Sequence, residues 1–289
     1  MQWLALIIVP IIVPLLDGLS RKLKAAIQHR VGPPITQTWY DFLSWLPVEP
    51  IYPTDSLIFR LTPYLTFASA IAMLLFLPFG NAPLAFEGDA IAFLYFFAMM
   101  SAFIILGAMS VNSTYTQAGA SREITLSLAF KPAFGIVLGV FALKTGSLSI
   151  VTMASSLPMN ISTLLSLCLL AYLVYVESGF IPYDIAEAET EILEGVLSEY
   201  SGRLLVLMKW ALLIKRFAML WLLSSFIVLP FVKGLEGLIG QVMVFMAIFI
   251  AMTTYEALNA RYTINQAVRK GLYATLLGIV VLLIAYAGW

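Results

Sequence analysis

Apolar residues in this chain come in long unbroken runs, separated by short polar breaks, with no sustained period of two or of three to four. A helix that is apolar all round has no water-facing side and sits in a core or in lipid. About 20 apolar residues cross a bilayer. Eight runs are candidates: 3–19, 61–79, 90–111, 124–143, 161–176, 204–231, 238–258 and 272–287. The pattern therefore predicts an all-α, polytopic membrane protein with eight transmembrane helices. No linker is long enough to separate two units, so residues 1–289 read as a single integral membrane domain. The first run lacks a basic leader and a small-residue cleavage site, and its positive charges follow it. It reads as a retained span, not a signal peptide.

The polar breaks set the orientation. Connections after the odd-numbered runs hold Arg21, Lys22, Lys24, Arg30, Arg60, Arg122, Arg203, Arg261, Arg269 and Lys270, whereas those after the even runs hold only Lys144 and Lys233. Lysine and arginine accumulate on the cytoplasmic side. Odd connections are thus expected in the cytoplasm and both termini outside. Two of these cytoplasmic loops are large, after the first and fifth spans. The first covers about 20–60 and includes "TQTWYDFLSWL". There Trp39, Phe42, Leu43 and Leu46 share one helical face, which suits a helix lying along the membrane surface.

Composition narrows the chemistry. The chain is 61% apolar with a formal net charge of zero, and its mean hydropathy is +0.95. Such a chain gives no footing for nucleic acid. One cysteine, Cys168, and one histidine, His29, cannot hold an iron–sulfur cluster or a structural zinc. Any metal or redox cofactor then belongs to another chain. Cys168 reads as a small buried hydrophobe, and His29 as a surface side chain or a contact to a docked partner.

Ionisable groups inside spans are costly and mark function by default. Glu177 ends the fifth span. Lys131 lies within the fourth and precedes Pro132, whose missing N–H opens the helix locally. Lys209, Lys215 and Arg216 lie within the sixth, and Glu256 near the end of the seventh. The stretch "DIAEAETEILEGVLSEYSGR", 184–203, adds Asp184, Glu187, Glu189, Glu191, Glu194 and Glu199. Glu187, Glu191 and Glu194 fall on one face if this segment is helical. Carboxylates that close raise one another's pKa values and titrate as a set. They could hold and pass protons, or simply form a solvated acidic face. Lys215 or Arg216 is expected to pair with acids of the 187–199 region or with Glu123, since a deep cation needs a partner. Ion transport and coupling to a docked enzyme both fit these residues.

Longer motifs go further. "ESGFIPYDIAEAETEILEGVLSEYSG", 177–202, resembles the signature loop of the respiratory complex I membrane subunit that roofs the quinone chamber. "HRVGPP" followed by "YDFL" is similar to that family's first cytoplasmic loop. "FRLTPY" (59–64), "GASRE" (119–123), "LSEYSG", "MKW" and "LIK" resemble the equivalent subunit of group 4 membrane-bound nickel–iron hydrogenases and sulfane reductases. The resemblance implies eight helices, several tilted, and no cofactor in this chain. It implies nickel–iron and iron–sulfur centres in partner subunits: a hydrogenase-like large subunit and an iron–sulfur small subunit forming a peripheral arm. Antiporter-like and small membrane subunits would complete the assembly in the cell membrane.

The family's acidic positions carry over onto Glu123, Glu177, Asp184, Glu187, Glu189, Glu191, Glu194 and Glu199, as a path that couples electron transfer to H⁺ or Na⁺ movement. Lys131, Lys209, Lys215, Arg216 and Glu256 join that path. Arg21, Lys22, Lys24, His29, Arg30 and Asp41 form the docking face for the arm. After "YDFL" the chain reads "SWLPVEP", with Ser44 and Val48 where these families carry a lysine and a basic–acidic pair. That departure leans toward the hydrogenase-like branch. The alternatives are a quinone-chamber subunit of a complex I-like dehydrogenase and a free-standing ion carrier. A carrier would show paired inverted repeats, and no such pairing is evident.

Overall fold

The computed structural model describes residues 2–80 and 82–288; the side chains of Gln2, Glu189 and Thr190 lie outside the description, so the expectation placed on the Glu189 carboxylate does too. The described residues contain helices and no strand. In order they are α1 (Gln2–Ile27), α2 (Gln37–Trp45), α3 (Leu57–Leu74), α4 (Asp89–Met109), α5 (Thr114–Thr145), α6 (Ile150–Ser156), α7 (Ile161–Glu177), α8 (Glu189–Ile192), α9 (Gly202–Val228), α10 (Gly234–Leu258) and α11 (Ile264–Tyr286). Seven are long and apolar enough to cross a membrane. The eighth span is the 17-residue α7, which rises about 26 Å and sits at the short end of the crossing range.

Helix α9 is the hub. Of its most apolar window 78% is buried, against 22–44% for the other six long spans. It packs against α3, α7, α10 and α1, while α5 packs against α4, α7 and α11. The most extensive of these seams is α5 against α11. Ala267, Gly271, Ala274, Gly278, Val281 and Ala285 recur every three or four residues on the buried side of α11. A Cβ on Gly271 would stand 2.7 Å from that of Ala129. Small residues are what let membrane helices approach this closely, because lipid offers no hydrophobic drive to hold them together.

Tryptophans on α9 satisfy backbone carbonyls left free in neighbouring elements. Pro14 in α1 has no N–H to give to the Pro10 carbonyl. The indole Nε1–H of Trp210 donates to that carbonyl at 2.9 Å. Trp221 donates to the Pro78 carbonyl, in the connection after α3, at 3.1 Å. Such satisfaction is compulsory where no water reaches the backbone.

Connections after the odd spans gather on one face. Ile51 of the first loop donates its N–H to Ser201 Oγ, before α9. Tyr262, after α10, donates its N–H to the Pro182 carbonyl after α7. On the opposite face Asp89, wholly buried, accepts from the Ile150 N–H at 2.6 Å and from Ser149 Oγ at 3.1 Å. It ties the α3–α4 connection to the α5–α6 one.

Four expectations change in detail. Helix α5 starts at Thr114 rather than 124, so "GASRE" is helical; its Gly119 and Ala120 are buried against the loop before α9. It also runs unbroken through Pro132, so the lost N–H does not end the helix. The α2 face divides: Phe42 is buried and Trp39 packs on Trp210, whereas Leu43 and Leu46 point outward. Cys168 is exposed, not buried, because it lies on the outward side of α7.

Candidate functional site

The acidic segment does not form the helix that its spacing allows. Helix α8 lasts four residues, and Leu193 and Glu194 then take left-handed φ values of 51° and 66°. The reason lies in packing. Gly195 is pressed against Gly119 of α5, where a Cβ on Gly119 would stand 2.7 Å from the Val196 nitrogen. A regular helix could not bring its backbone so near. Glu187, Glu191 and Glu194 consequently diverge. Glu191 reaches Arg122 of α5 at 2.8 Å, Glu194 reaches Lys209 of α9 at 2.9 Å, and Glu187 turns inward to a cavity.

The other motifs assemble around this segment. Phe59 of "FRLTPY" stacks on Tyr200 of "LSEYSG", centroids 4.3 Å apart and planes within 2°. Thr116 and Ser198 share a hydrogen bond of 2.9 Å. Arg261, from the α10–α11 connection, holds Asp184 at 2.8 Å. The loop is thus clamped from α3, α5, α9 and the next connection.

Beneath it lie two cavities in series. The outer, about 230 Å³, is walled by Asp17, Arg21, Lys24, Asp184, Glu187, Glu194, Lys209, Arg216 and Glu256. The inner, about 90 Å³, is walled by Glu123, Glu177, Tyr183, Asp184, Glu187, Lys215 and Arg216. Asp184, Glu187 and Arg216 border both.

Charges line this route in pairs. At the mouth Lys24 meets Glu256 at 3.1 Å, and Arg21 meets Asp17 at 3.0 Å and Asp41 at 3.6 Å. Between the cavities Arg216 lies 3.9 Å from Asp17, donates to the Ser178 carbonyl at 2.9 Å and covers the Phe180 ring. At the inner end Lys215 lies 3.8 Å from Glu177. Lys131 and Lys215 stand 5.1 and 5.9 Å from the centroid of one ring, Phe97. Both lysines are near the midpoints of their helices.

This pairing differs from the expected one. Lys215 takes Glu177, and Arg216 takes Asp17; among the described residues, neither forms an ion pair with Glu123 or with an acid of the 187–199 region. Of those acids, Glu191 and Glu194 are already held by Arg122 and Lys209. Glu123 instead accepts from Ser127. Glu199 is half-buried and has no ion pair within 4 Å among the described residues. Of the docking set, Lys22, His29 and Arg30 are exposed, whereas Arg21, Lys24 and Asp41 are engaged in the pairs above. Asp17 was missed. It lies inside the first apolar run, where the rule that singled out Lys215 would have marked it. Thr38 of α2 donates to it at 2.8 Å.

Glu187 borders both cavities. Burial, and secondarily the nearby Asp184 charge, push its pKa up to about 7, against the pull of Arg216 and Lys215. A carboxyl poised there exchanges protons near neutral pH.

Fold and site together define a multi-pass membrane protein with a charged chamber open on the face that gathers the large loops. The chain belongs to the NADH dehydrogenase family, whose model matches residues 1–287. It is 35% identical over 237 residues to hydrogenase-4 component C of Escherichia coli, covering 80% of this chain and 75% of that one. Formate hydrogenlyase subunit 4 of the same organism is 35% identical over 217 residues, covering 72% and 71%. An NADH-quinone oxidoreductase subunit of Brucella ovis is 27% identical over 301 residues, covering 92% and 86%. A chain of the membrane-bound sulfane sulfur reductase, an archaeal respiratory membrane complex, superposes with a TM-score of 0.84 over 98% of both chains, at 24% identity. That last likeness is one of fold. The family read from the motifs is the family found.

Proposed function

We propose that this chain is the membrane subunit of a multisubunit, ferredoxin-linked hydrogenase or sulfane reductase, docking a peripheral redox arm and coupling its electron transfer to H⁺ or Na⁺ movement. One observation carries the reading: a row of charges runs from the loop face, through Asp184, Glu187 and Arg216, to Glu177 at the end of α7 and on to Lys215 and Lys131 near the midpoints of α9 and α5. The 35% identity to hydrogenase-4 component C supports the hydrogenase-like branch.

Nickel–iron and iron–sulfur centres belong to the arm, a hydrogenase-like large subunit with an iron–sulfur small subunit; one cysteine and one histidine supply no such donor set here. Antiporter-like and small membrane subunits extend the path sideways. The protein resides in the cell membrane with its loop face cytoplasmic and both termini outside, a reading that the ten-to-two charge asymmetry supports.

Physically, the loop acids answer a charge change in the docked arm. A unit charge about 8 Å away at an effective dielectric constant of about 20 is worth roughly 2 kcal/mol, more than one pKa unit. Glu187, between both cavities, is the carboxyl such a change would load or unload. A quinone-chamber role is the second reading, favoured by the match to the Brucella NADH-quinone oxidoreductase protein over 92% of this chain. Purifying the tagged chain with its partners decides. Nickel in the copurified module supports the first reading, quinone reduction without nickel the second, and no copurifying module rejects both.

A further inference from the structure

Away from the charged chamber, α7 and α11 leave a groove between them on the outside of the bundle. Its volume is about 450 Å³, and its walls are almost wholly apolar. Ala274 and Leu169 are buried and form the floor; Leu165, Tyr273 and Leu277 are exposed and form the rim. The helices run antiparallel, so Leu165 and Val281 mark one end and Tyr172 and Lys270 the other. From Lys270 to Val281 the helix rises about 16 Å. That is roughly one leaflet of a hydrocarbon core about 30 Å thick.

The polar end is specific. The Lys270 ammonium stands 3.6 Å from the centroid of the Tyr262 ring and has no carboxylate within 4 Å among the described residues. The cations that line the two chamber cavities, Arg21, Lys24, Lys209, Lys215 and Arg216, each face an acid. A cation fixed over an aromatic ring at the head of a leaflet-deep apolar trough lacks only an anion carrying a hydrocarbon chain. A membrane helix from a partner would bring the chain but not the anion.

We infer that the α7–α11 groove binds one anionic phospholipid of the loop-side leaflet, its phosphate on Lys270 and one acyl chain laid between Leu165 and Leu277. The groove is separate from the charged chamber, so this site stands or falls independently of the coupling role.

Native mass spectrometry of the full chain, titrated with phosphatidylglycerol and separately with phosphatidylcholine of the same acyl chains, tests it. One phosphatidylglycerol should be retained roughly fivefold more tightly, the share one basic side chain supplies at an anionic surface. Lys270→Gln should erase that preference. Arg269→Gln, the adjacent charge that does not line the groove, should keep it. Leu277→Trp, on the exposed rim, should weaken retention of both lipids. Equal retention of the two lipids by the native chain overturns the inference, as does equal loss of preference in the Arg269 and Lys270 variants. In a density map of the intact complex, a headgroup at Lys270 supports it, and a partner helix filling the groove overturns it.

Discussion

Lys215, the midpoint of α9, lies 3.8 Å from Glu177, the last residue of α7, and both side chains are about nine-tenths buried. Neither alone is tolerable there. A charge at the centre of a span costs about 2.5–3.5 kcal/mol on the mildest scale, and breaking a buried pair by removing one partner typically costs about 3–5 kcal/mol. Lys215→Met and Glu177→Gln should each lower the thermal stability of the chain in nanodiscs. The double variant should recover most of the loss, while ion uptake stays absent in all three. Additive destabilisation in the double variant would show that the two charges are not a pair.

Glu187 gives the pH dependence. Its pKa is near 4.5 when unfolded and about 7 when folded. The folded state therefore holds the extra proton between these values, and stability falls as pH rises through them. Below about 4.5 the contribution is fully present; above about 7 it is gone. Infrared difference spectra should show a protonated carboxyl that ionises near pH 7 and is missing from Glu187→Gln. A band that persists in the variant would assign the proton elsewhere. Glu187→Gln should also flatten the fall in melting temperature over that range.

Asp17 collects more partners than any described acid named from sequence: Arg21, Arg216 and the Thr38 hydroxyl. It pins the surface helix α2 and the hub α9 to α1. Asp17→Asn keeps the shape and removes the charge. It should cost on the order of 1–3 kcal/mol, the penalty for leaving a hydrogen-bonded polar group short of its partner. Hydrogen exchange should rise in 37–45 before it rises in α9. Unchanged protection of α2 would mean that the Trp39 and Phe42 packing on Trp210 suffices alone.

The spans were legible because a bilayer demands long apolar runs, and α4, α7, α9, α10 and α11 start or stop close to where those runs do. The start of α5 was not, since Thr114–Glu123 is polar enough to read as a connection; its small residues are there to receive the acidic loop. The acids themselves were legible as a set, but not their directions. A spacing of four and three is compatible with a helix, and only the Gly119–Gly195 contact forbids one. Ion pairs between distant elements, such as Lys24 with Glu256 or Arg261 with Asp184, leave no local pattern at all. Asp17 did leave one, an acid inside an apolar run.

The three glutamates therefore separate into two kinds, and this divides coupling from docking. Glu191 and Glu194 are surface acids tied to Arg122 and Lys209, with side chains 53% and 32% exposed. Pairs so exposed are worth about 0–1 kcal/mol. Glu191→Gln and Glu194→Gln should loosen the loop slightly and leave ion uptake near the native level. Glu187 borders both cavities, faces the fields of Asp184, Arg216 and Lys215, and titrates near pH 7. Glu187→Gln should keep the arm on the membrane and its electron transfer to soluble dyes, yet lose ion uptake at least tenfold. Arm retention and ion uptake measured on the same variant membranes decide the matter. If Glu187→Gln releases the arm and uptake falls only in proportion, the acid is a docking contact and the coupling role fails.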